Sequence, residues 1–287
     1  MTRLNDIQRH MAGMQELGDI VGAMRSLAGM RLQESQQALP GIRRYGDSMA
    51  QAIGAALQLM PAPEAPPQRD RGCRAIILCA AEHGFVGGFN ERLLQSALAV
   101  LESGDRLFVL GSRGAGLALE RGLRVSWFRA MPTRVAGVPG AIDALTGEIY
   151  HRIARGELAR VEVMFDRYRQ GGARSIERRL LLPLDTKSLV PLQSPQPALH
   201  HLEPDVLLEK LLEEYVFALL TEAAVESIAS ENAARFAAME SAHDNISKKL
   251  VELGQEARVA RQSEITSELL DLLVGAGALE SAHEARW

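Results

Sequence analysis

The chain has 287 residues, of which 47% are hydrophobic and 24% are charged, and its formal net charge at neutral pH is −4. This composition is ample for a packed core and excludes disorder for most of the chain. A pI near 6.0 gives no basic surface excess, so nucleic acid is not expected as a partner. The first turns are polar, and no stretch approaches the ~18 apolar residues of a membrane span, so we expect neither a signal peptide nor a lipid-embedded segment.

The first predicted element is a long helix that packs along a seam. Its apolar residues recur at spacings of three and four in two successive stripes, which is typical of a helix with a helical partner. The stripes are Leu4, Ile7, Met11, Met14 and then Leu17, Ile20, Met24, Leu27. Pro40-Gly41 is expected to kink or break this helix, with helical character resuming over residues 42–59. The prolines of residues 61–71 predict an extended linker.

From Cys73 to Pro183 short apolar runs alternate with helical stretches, which predicts a βαβ-type sheet. The predicted strands are residues 73–79, 106–110, 124–128, 161–168 and 175–182, and the predicted helices are residues 90–102, 115–121 and 141–154. Cys73 and Cys79 bracket the first strand at a spacing that suits neither a metal knuckle nor a hairpin disulfide. We expect two ordinary buried thiols, while the prolines of residues 183–204 predict a loop.

No proline follows Asp205, and apolar residues keep helical spacing from there to about Val274. Such a helix of about 70 residues would be roughly 105 Å long, at about 1.5 Å per residue. Alanines in its middle allow another helix to approach closely, and the N-terminal helix is the simplest antiparallel partner. Gly254 lies inside this predicted helix, where glycine is unfavourable. Either another helix approaches closely there, or the helix needs local flexibility, or the site is unconstrained. The predicted fold is therefore α/β plus long helices: an antiparallel coiled coil of the N- and C-terminal helices (1–60 and 205–287) with an inserted Rossmann-like α/β domain (61–204).

The strongest motif lies near the end of the C-terminal helix. Its elements are Ile265-Thr266, Glu268, Asp271 and Gly275-Ala276. This spacing resembles the signature of the gamma subunit of F-type rotary ATP synthases. Three further segments resemble the same family in the right order: Gly22-Ala23-Met24, Gly87-Gly88-Phe89-Asn90 and residues 230–239. The resemblance therefore spans the chain.

The resemblance implies a central-stalk rotor subunit that transmits rotation between a membrane c-ring and an alpha/beta catalytic head, coupling ion flow to ATP synthesis or hydrolysis. The subunit itself would be non-catalytic and hold no cofactor or metal. Its implied partners are the alpha and beta subunits, the epsilon subunit and the c-ring, with membrane association only through the complex at the cytoplasmic face of a bacterial inner membrane. Residues 82–86, Glu-His-Gly-Phe-Val, replace the usual Asp-Arg-Gly-Leu-Cys, which indicates a divergent branch such as an alternative bacterial F-type ATPase.

The resemblance also implies which residues meet other subunits. The candidate interface residues are Met24, Arg261, Gln262, Thr266, Glu268, Leu269, Leu272 and Leu273. We expect the apolar tip of the C-terminal helix to turn in an apolar sleeve of the catalytic head. We expect Met24 to lie near Arg261 and Gln262 as an uncharged contact with the head. The alternatives are that Met24 faces the other helix and that Arg261 and Gln262 are ordinary surface residues.

Two other functions fit single features of the sequence. A scaffolding coiled coil would explain the long helices but not the C-terminal motif. A nucleotide-dependent enzyme would place a phosphate loop at residues 111–116, Gly-Ser-Arg-Gly-Ala-Gly, which follow a strand and open a helix. Their spacing is not that of a dinucleotide fingerprint, so a tight strand-to-helix turn is favoured.

Overall fold

The computed structural model describes residues 3–60, 72–169, 174–184 and 199–284. The α-helices of these residues are α1 (Arg3–Leu57), α2 (Phe89–Leu98), α3 (Ser112–Glu120), α4 (Val138–Ala154) and α5 (Pro204–Glu284). The strands are β1 (Cys73–Cys79), β2 (Arg106–Leu110), β3 (Val125–Arg129), β4 (Leu158–Tyr168) and β5 (Arg174–Leu182). The chain has two compact units: residues 27–238, and the start of α1 through Ser26 with the end of α5 from Met239. The predicted linker at 61–71 and most of the predicted loop at 183–204 lie outside the described residues.

The unit of residues 27–238 contains one sheet with strand order β3-β2-β1-β4-β5. The first four strands are parallel and β5 is antiparallel to β4, which confirms the predicted Rossmann-like α/β domain. The central strand β1 is an apolar run because both of its faces are covered. Cys79 is fully buried there, and burial raises the pKa of its thiol to about 12, whereas Cys73 is half-buried at the first position of β1.

Alternate side chains of β1 point to opposite faces of the sheet, as strand geometry requires. Ile76 and Leu78 pack with α2 and α3 on one face. Ala75 and Ile77 lie on the other face, in a core that includes α4 and parts of α1 and α5. This arrangement fixes both long helices against the sheet within residues 27–238.

Helix α1 runs without interruption through Pro40, so the predicted break there is wrong. Leu39 is buried and Ile42 packs against the main core, which anchors the helix on both sides of the proline. The Pro40 ring is exposed to solvent. Packing of the flanking turns therefore outweighs the hydrogen bond that proline cannot make.

In the other unit, the start of α1 lies antiparallel to the end of α5. Arg25 donates to the Glu240 carboxylate over 3.0 Å, and a Cβ on Gly18 would lie 3.4 Å from Ile246. Ile7 lines a groove with Val259. The first turn of α1 is thus level with about residue 263, and α5 continues beyond it to Glu284, ten residues past the predicted end. No helix in the described part of the chain is long and apolar enough to cross a membrane.

Candidate subunit interface

The end of α5 beyond the start of α1 is an exposed, largely apolar surface. Leu269 is 56% exposed, Leu272 70% and Leu273 69%. Large apolar side chains in contiguous exposed positions mark an interaction surface. Of the predicted polar residues, Arg261 and Gln262 lie level with the first turn of α1, and Thr266 and Glu268 lie beyond it. All four are exposed, and the Thr266 hydroxyl donates to the Gln262 carbonyl oxygen over 2.9 Å. The side chains of residues 275–278 in the motif lie outside the described residues.

Met24 does not join this surface. Its neighbour Arg25 pairs with Glu240, about 20 residues along α5 from Arg261, a separation of about 30 Å of helix. The expectation that Met24 lies near Arg261 and Gln262 is therefore wrong, because the antiparallel register puts them at different levels. Met24 is half-buried, beside the buried Val21 of the same helix. It lies at the margin of the helix seam, with part of its side chain open to a partner.

The glycine-rich segment after β2 is a tight turn, as the sequence favoured. Gly111 has φ of 113°, and a Cβ at Gly114 would lie 2.1 Å from the Cβ of Ala80. The Ala81 carbonyl oxygen accepts the backbone N–H groups of Arg113 and Gly114. These glycines permit close packing of α3 on the end of β1.

A carboxylate of the chain itself fills the position that a phosphate would need. Glu82 accepts hydrogen bonds from the backbone N–H of Ser112 over 2.9 Å, from the Ser112 hydroxyl over 2.6 Å and from the backbone N–H of Met131 over 2.8 Å. Burial alone would raise the pKa of Glu82, but these hydrogen bonds outweigh it and hold the pKa below its usual value. The N-terminus of α3 therefore serves to anchor the β1–α2 loop.

The β1–α2 loop, residues 82–88, forms a second exposed surface. The sequence indicated only that this segment differs from the residues usual in the family. Phe85 has a left-handed backbone with φ of 59° and a side chain that is 70% exposed. Its neighbour Val86 is buried in a small cluster that includes Phe89 and Ala234 of α5. A bulky residue with positive φ is an outlier that only a well-determined surrounding holds in place. The only sequence signal for this feature is the Gly87-Gly88 pair beside a large apolar residue.

A model of the family described as ATP synthase matches residues 3–279 of the chain. The curated relatives it resembles are named ATP synthase gamma chain. The chain belongs to the ATP synthase gamma-subunit family. The resemblance inferred from the C-terminal motif is thereby confirmed.

Relatives in this family match the whole length of the chain. The ATP synthase gamma chain of Chlorobium luteolum is 25% identical over 301 residues, covering 98% of this chain and 100% of its own. The ATP synthase gamma chain of Chlorobaculum tepidum is 24% identical over 300 residues with the same coverage. The similarity is therefore low in identity but extends over nearly the whole chain.

Solved structures have the same fold. A chain in the OSCP/F1/c-ring structure of Euglena gracilis mitochondrial ATP synthase superposes with a TM-score of 0.64 at 12% identity, over 97% of this chain and 95% of that one. A chain in the rotor structure from the same organism gives a TM-score of 0.60 at 13% identity, over 91% and 98%. Family membership and this fold together make the chain a rotor stalk subunit of an F-type ATP synthase.

Proposed function

We propose that the chain transmits rotation between a membrane c-ring and an alpha/beta catalytic head, so that ion flow and ATP synthesis or hydrolysis are coupled, and that it catalyses no step itself. The observation that carries the proposal is the exposed apolar end of α5, which continues past the start of α1 in a chain of the gamma-subunit family. An apolar tip of this kind needs a surrounding partner. A catalytic head that encloses the tip supplies one.

The physical task of such a rotor is to present different faces at different angles. The end of α5 and the start of α1 carry different side chains, so a catalytic site beside them meets a surface that changes with the angle. A site whose conformations contact those faces unequally then changes its nucleotide affinity as the rotor turns. The pairing of the helices, with the Arg25–Glu240 ion pair across them, resists slippage of one helix along the other.

We assign the partners by surface. The alpha and beta subunits surround the end of α5, where they contact Arg261, Gln262, Thr266, Glu268, Leu269, Leu272 and Leu273, and they meet the open part of Met24. The α/β domain stands on the c-ring and contacts the epsilon subunit. The chain is thus a peripheral protein held by its complex at the cytoplasmic face of a bacterial inner membrane, in a divergent branch of F-type ATPases.

The internal use of the α3 N-terminus supports a non-catalytic role. Its first backbone N–H groups are the natural place for a phosphate in this fold. Ser112 donates there to Glu82, and Arg113 donates to the Ala81 carbonyl oxygen. A nucleotide phosphate would have to displace the Glu82 carboxylate from these donors, and the two negative charges would repel each other.

The test compares complexes reconstituted with three versions of the chain in ion-tight vesicles. The full chain is expected to support ATP synthesis driven by an ion gradient. Removal of residues 261–287 is expected to weaken assembly or coupling while the α/β domain keeps its circular dichroism. Removal of residues 280–287 alone is the matched control, because the family match ends at residue 279, and it should leave synthesis unchanged.

Two results would contradict the proposal. One is ATP synthesis at the full rate with residues 261–287 removed, which would show that the exposed tip carries no function. The other is ATP hydrolysis by the isolated chain, which would make it an enzyme.

A further inference from the structure

We propose that Arg43 is a positioning residue that fixes the register of α1 against α5 and the sheet, so that the three elements turn together. It bridges two carboxylates of α5, those of Glu222 and Glu226, which arginines of the sheet also hold; these three residues are the Arg43 bridge. The inference rests on the proposed rotor function for its consequence, but the register is a property of the isolated chain. All of the residues of the bridge lie within the unit of residues 27–238.

Near Arg43 the seam between α1 and α5 consists of small or apolar side chains. A Cβ on Gly46 would lie 3.9 Å from the Cβ of Ala218, which is buried. Leu39 and Ile42 pack against the main core. Apolar contact is non-directional, so it restricts sliding of α1 less than a directed polar contact does. In paired helices a polar residue within an apolar seam is a known means of specifying register.

The Arg43 guanidinium contacts two carboxylates through two different nitrogen atoms. Its Nε donates to Glu222 Oε1 over 3.1 Å, and its Nη2 donates to Glu226 Oε1. The two glutamates are four residues apart, so they are neighbours on one face of α5. Because a planar guanidinium holds its donors in fixed directions, the two contacts together define both the level and the rotation of α1 at this point.

Both carboxylates are also bound to the sheet. Glu222 Oε2 accepts a hydrogen bond from Arg179 Nη1 of β5 over 2.6 Å, and Glu226 Oε1 lies 3.3 Å from Arg167 Nε of β4. The side chain of Glu222 is 12% exposed and that of Glu226 is 2% exposed, so water competes weakly for these contacts. The Arg43 bridge therefore joins α1, α5 and the sheet, and each glutamate keeps an arginine of the sheet when Arg43 is replaced.

The other polar contacts between the two helices are single and more exposed. The Tyr45 hydroxyl donates to Glu214 Oε2 over 2.6 Å at the surface. Arg25 and Glu240, which pair in the other unit, are both partly exposed, and ion pairs of that kind contribute little to stability. Among the described residues, only the Arg43 bridge makes two contacts between α1 and largely buried carboxylates of α5.

Two introduced cysteines report the register in the isolated full-length chain. In Gly46→Cys/Ala218→Cys the Cβ atoms would lie 3.9 Å apart. This is within the range of about 3.5–4.5 Å found across disulfides. A slip of α1 by one turn would displace one cysteine by about 5.4 Å along the helix axis. Oxidised glutathione should therefore close this disulfide readily, and Arg43→Met should slow its closure about ten-fold, because the competent register is populated for less of the time.

Arg44→Met is the matched control for this measurement. Arg44 is the next residue of α1, it is exposed, and it forms no ion pair with a described residue, so closure should keep the wild-type rate. Arg43→Lys keeps the charge but replaces the two donor atoms with one nitrogen, so it should also slow closure, and it serves if methionine impairs folding. Equal rates for Arg43→Met and Arg44→Met would overturn the proposal. It would also fail if both Arg43 variants closed slowly only because their midpoints of urea unfolding were lower.

The second measurement is ion-driven ATP synthesis by the reconstituted complex. Arg43→Met should lower synthesis several-fold at unchanged complex yield. Closing the introduced disulfide in that variant should restore synthesis, and reducing the disulfide should remove the gain. The same disulfide in a chain that retains Arg43 should leave synthesis unchanged, because its helices already keep one register.

Normal synthesis by Arg43→Met, or a loss that the disulfide does not restore, would overturn the positioning role. A wild-type complex without coupling would refute the rotor function, whereas the rate of disulfide closure in the isolated chain would still decide whether Arg43 fixes the register.

Discussion

At the scale of single residues, the space around the backbone determines whether a glycine in a helix can be replaced by a larger residue. Gly254 lies inside α5, and a Cβ built there meets no atom of the described residues within 4 Å. Gly114 lies inside α3, and a Cβ there would lie 2.1 Å from that of Ala80. The first glycine is therefore unconstrained by the described residues, while the second is required by packing.

We expect Gly254→Ala to stabilise the end of α5 by about 1 kcal/mol, the difference in helix propensity between the two residues. Gly114→Ala is the same change in another helix, and it should destabilise the α/β domain by about 1–3 kcal/mol through overpacking. Hydrogen exchange of the amides of each helix measures both effects locally. Loss of assembly by a stabilised Gly254→Ala chain would instead mean that another subunit packs closely at this point.

At the scale of elements, α1 shows how packing preserves a helix through an unfavourable residue. Pro40 lacks the backbone N–H of a normal helical residue and still lies inside α1. Leu39 and the hydroxyl of Ser35, which donates to the Arg31 carbonyl oxygen over 2.9 Å, are on the preceding turns. Burial fixes the flanking turns, so their packing offsets the free-energy cost of the hydrogen bond that Pro40 cannot donate.

We expect Pro40→Ala to raise the free energy of unfolding by about 1–3 kcal/mol, because alanine restores the missing donor at an exposed position. In Gly41→Ala the added Cβ would meet no described atom within 4 Å, so this variant changes helix propensity alone. It should raise the free energy of unfolding by about 1 kcal/mol. Urea unfolding followed by circular dichroism measures both. A smaller gain for Pro40→Ala than for Gly41→Ala would contradict this expectation, because it would show that the missing donor at residue 40 costs less than the glycine at residue 41.

At the scale of the whole molecule, ion pairs tie the long helices to the sheet within residues 27–238. Glu222 of α5 accepts from Arg43 of α1 over 3.1 Å and from Arg179 of β5 over 2.6 Å. Glu226, one turn further along α5, pairs with Arg43 and, at 3.3 Å, with Arg167 of β4. Burial would raise the pKa of both carboxyls. For Glu222 the arginines outweigh burial and the pKa is lowered, whereas for Glu226 burial prevails and the pKa is raised.

This difference predicts opposite pH dependences for two neighbouring substitutions. The lowered pKa of Glu222 means that its contribution to stability is present above the ordinary value of 4.5 and is lost as pH falls through the folded-state pKa. The stability advantage of the wild type over Glu222→Gln should therefore shrink on acidification. The raised pKa of Glu226 reverses the sign, so the wild type should gain relative to Glu226→Gln as pH falls. Urea unfolding from about pH 7 to about pH 3.5 tests both, and parallel curves for the two variants would contradict the assignment.

The sequence by itself determined the features that depend on local order. The short apolar runs of residues 73–183, which alternate with helical stretches, and the helical spacing after Asp205 are local patterns, so the strands, the long helices and the α/β class follow from them. The C-terminal motif indicated the family, and the leucines at the end of the helix predicted an interface at the tip.

Only the tertiary structure decided the features that join distant segments. The continuity of α1 through Pro40 depends on the core contacts of the residues that flank it. The position of Met24 along α5 depends on the register of two helices more than 200 residues apart in sequence, which the contact of Arg25 with Glu240 fixes. The hydrogen bonds from Arg235 to the carbonyl oxygens of His83 and Gly84 join segments 152 and 151 residues apart, and they use backbone acceptors, which carry no sequence signal. Periodicity specifies which face of an element is buried, but the side chains that meet across that face are selected by the packing of the whole fold.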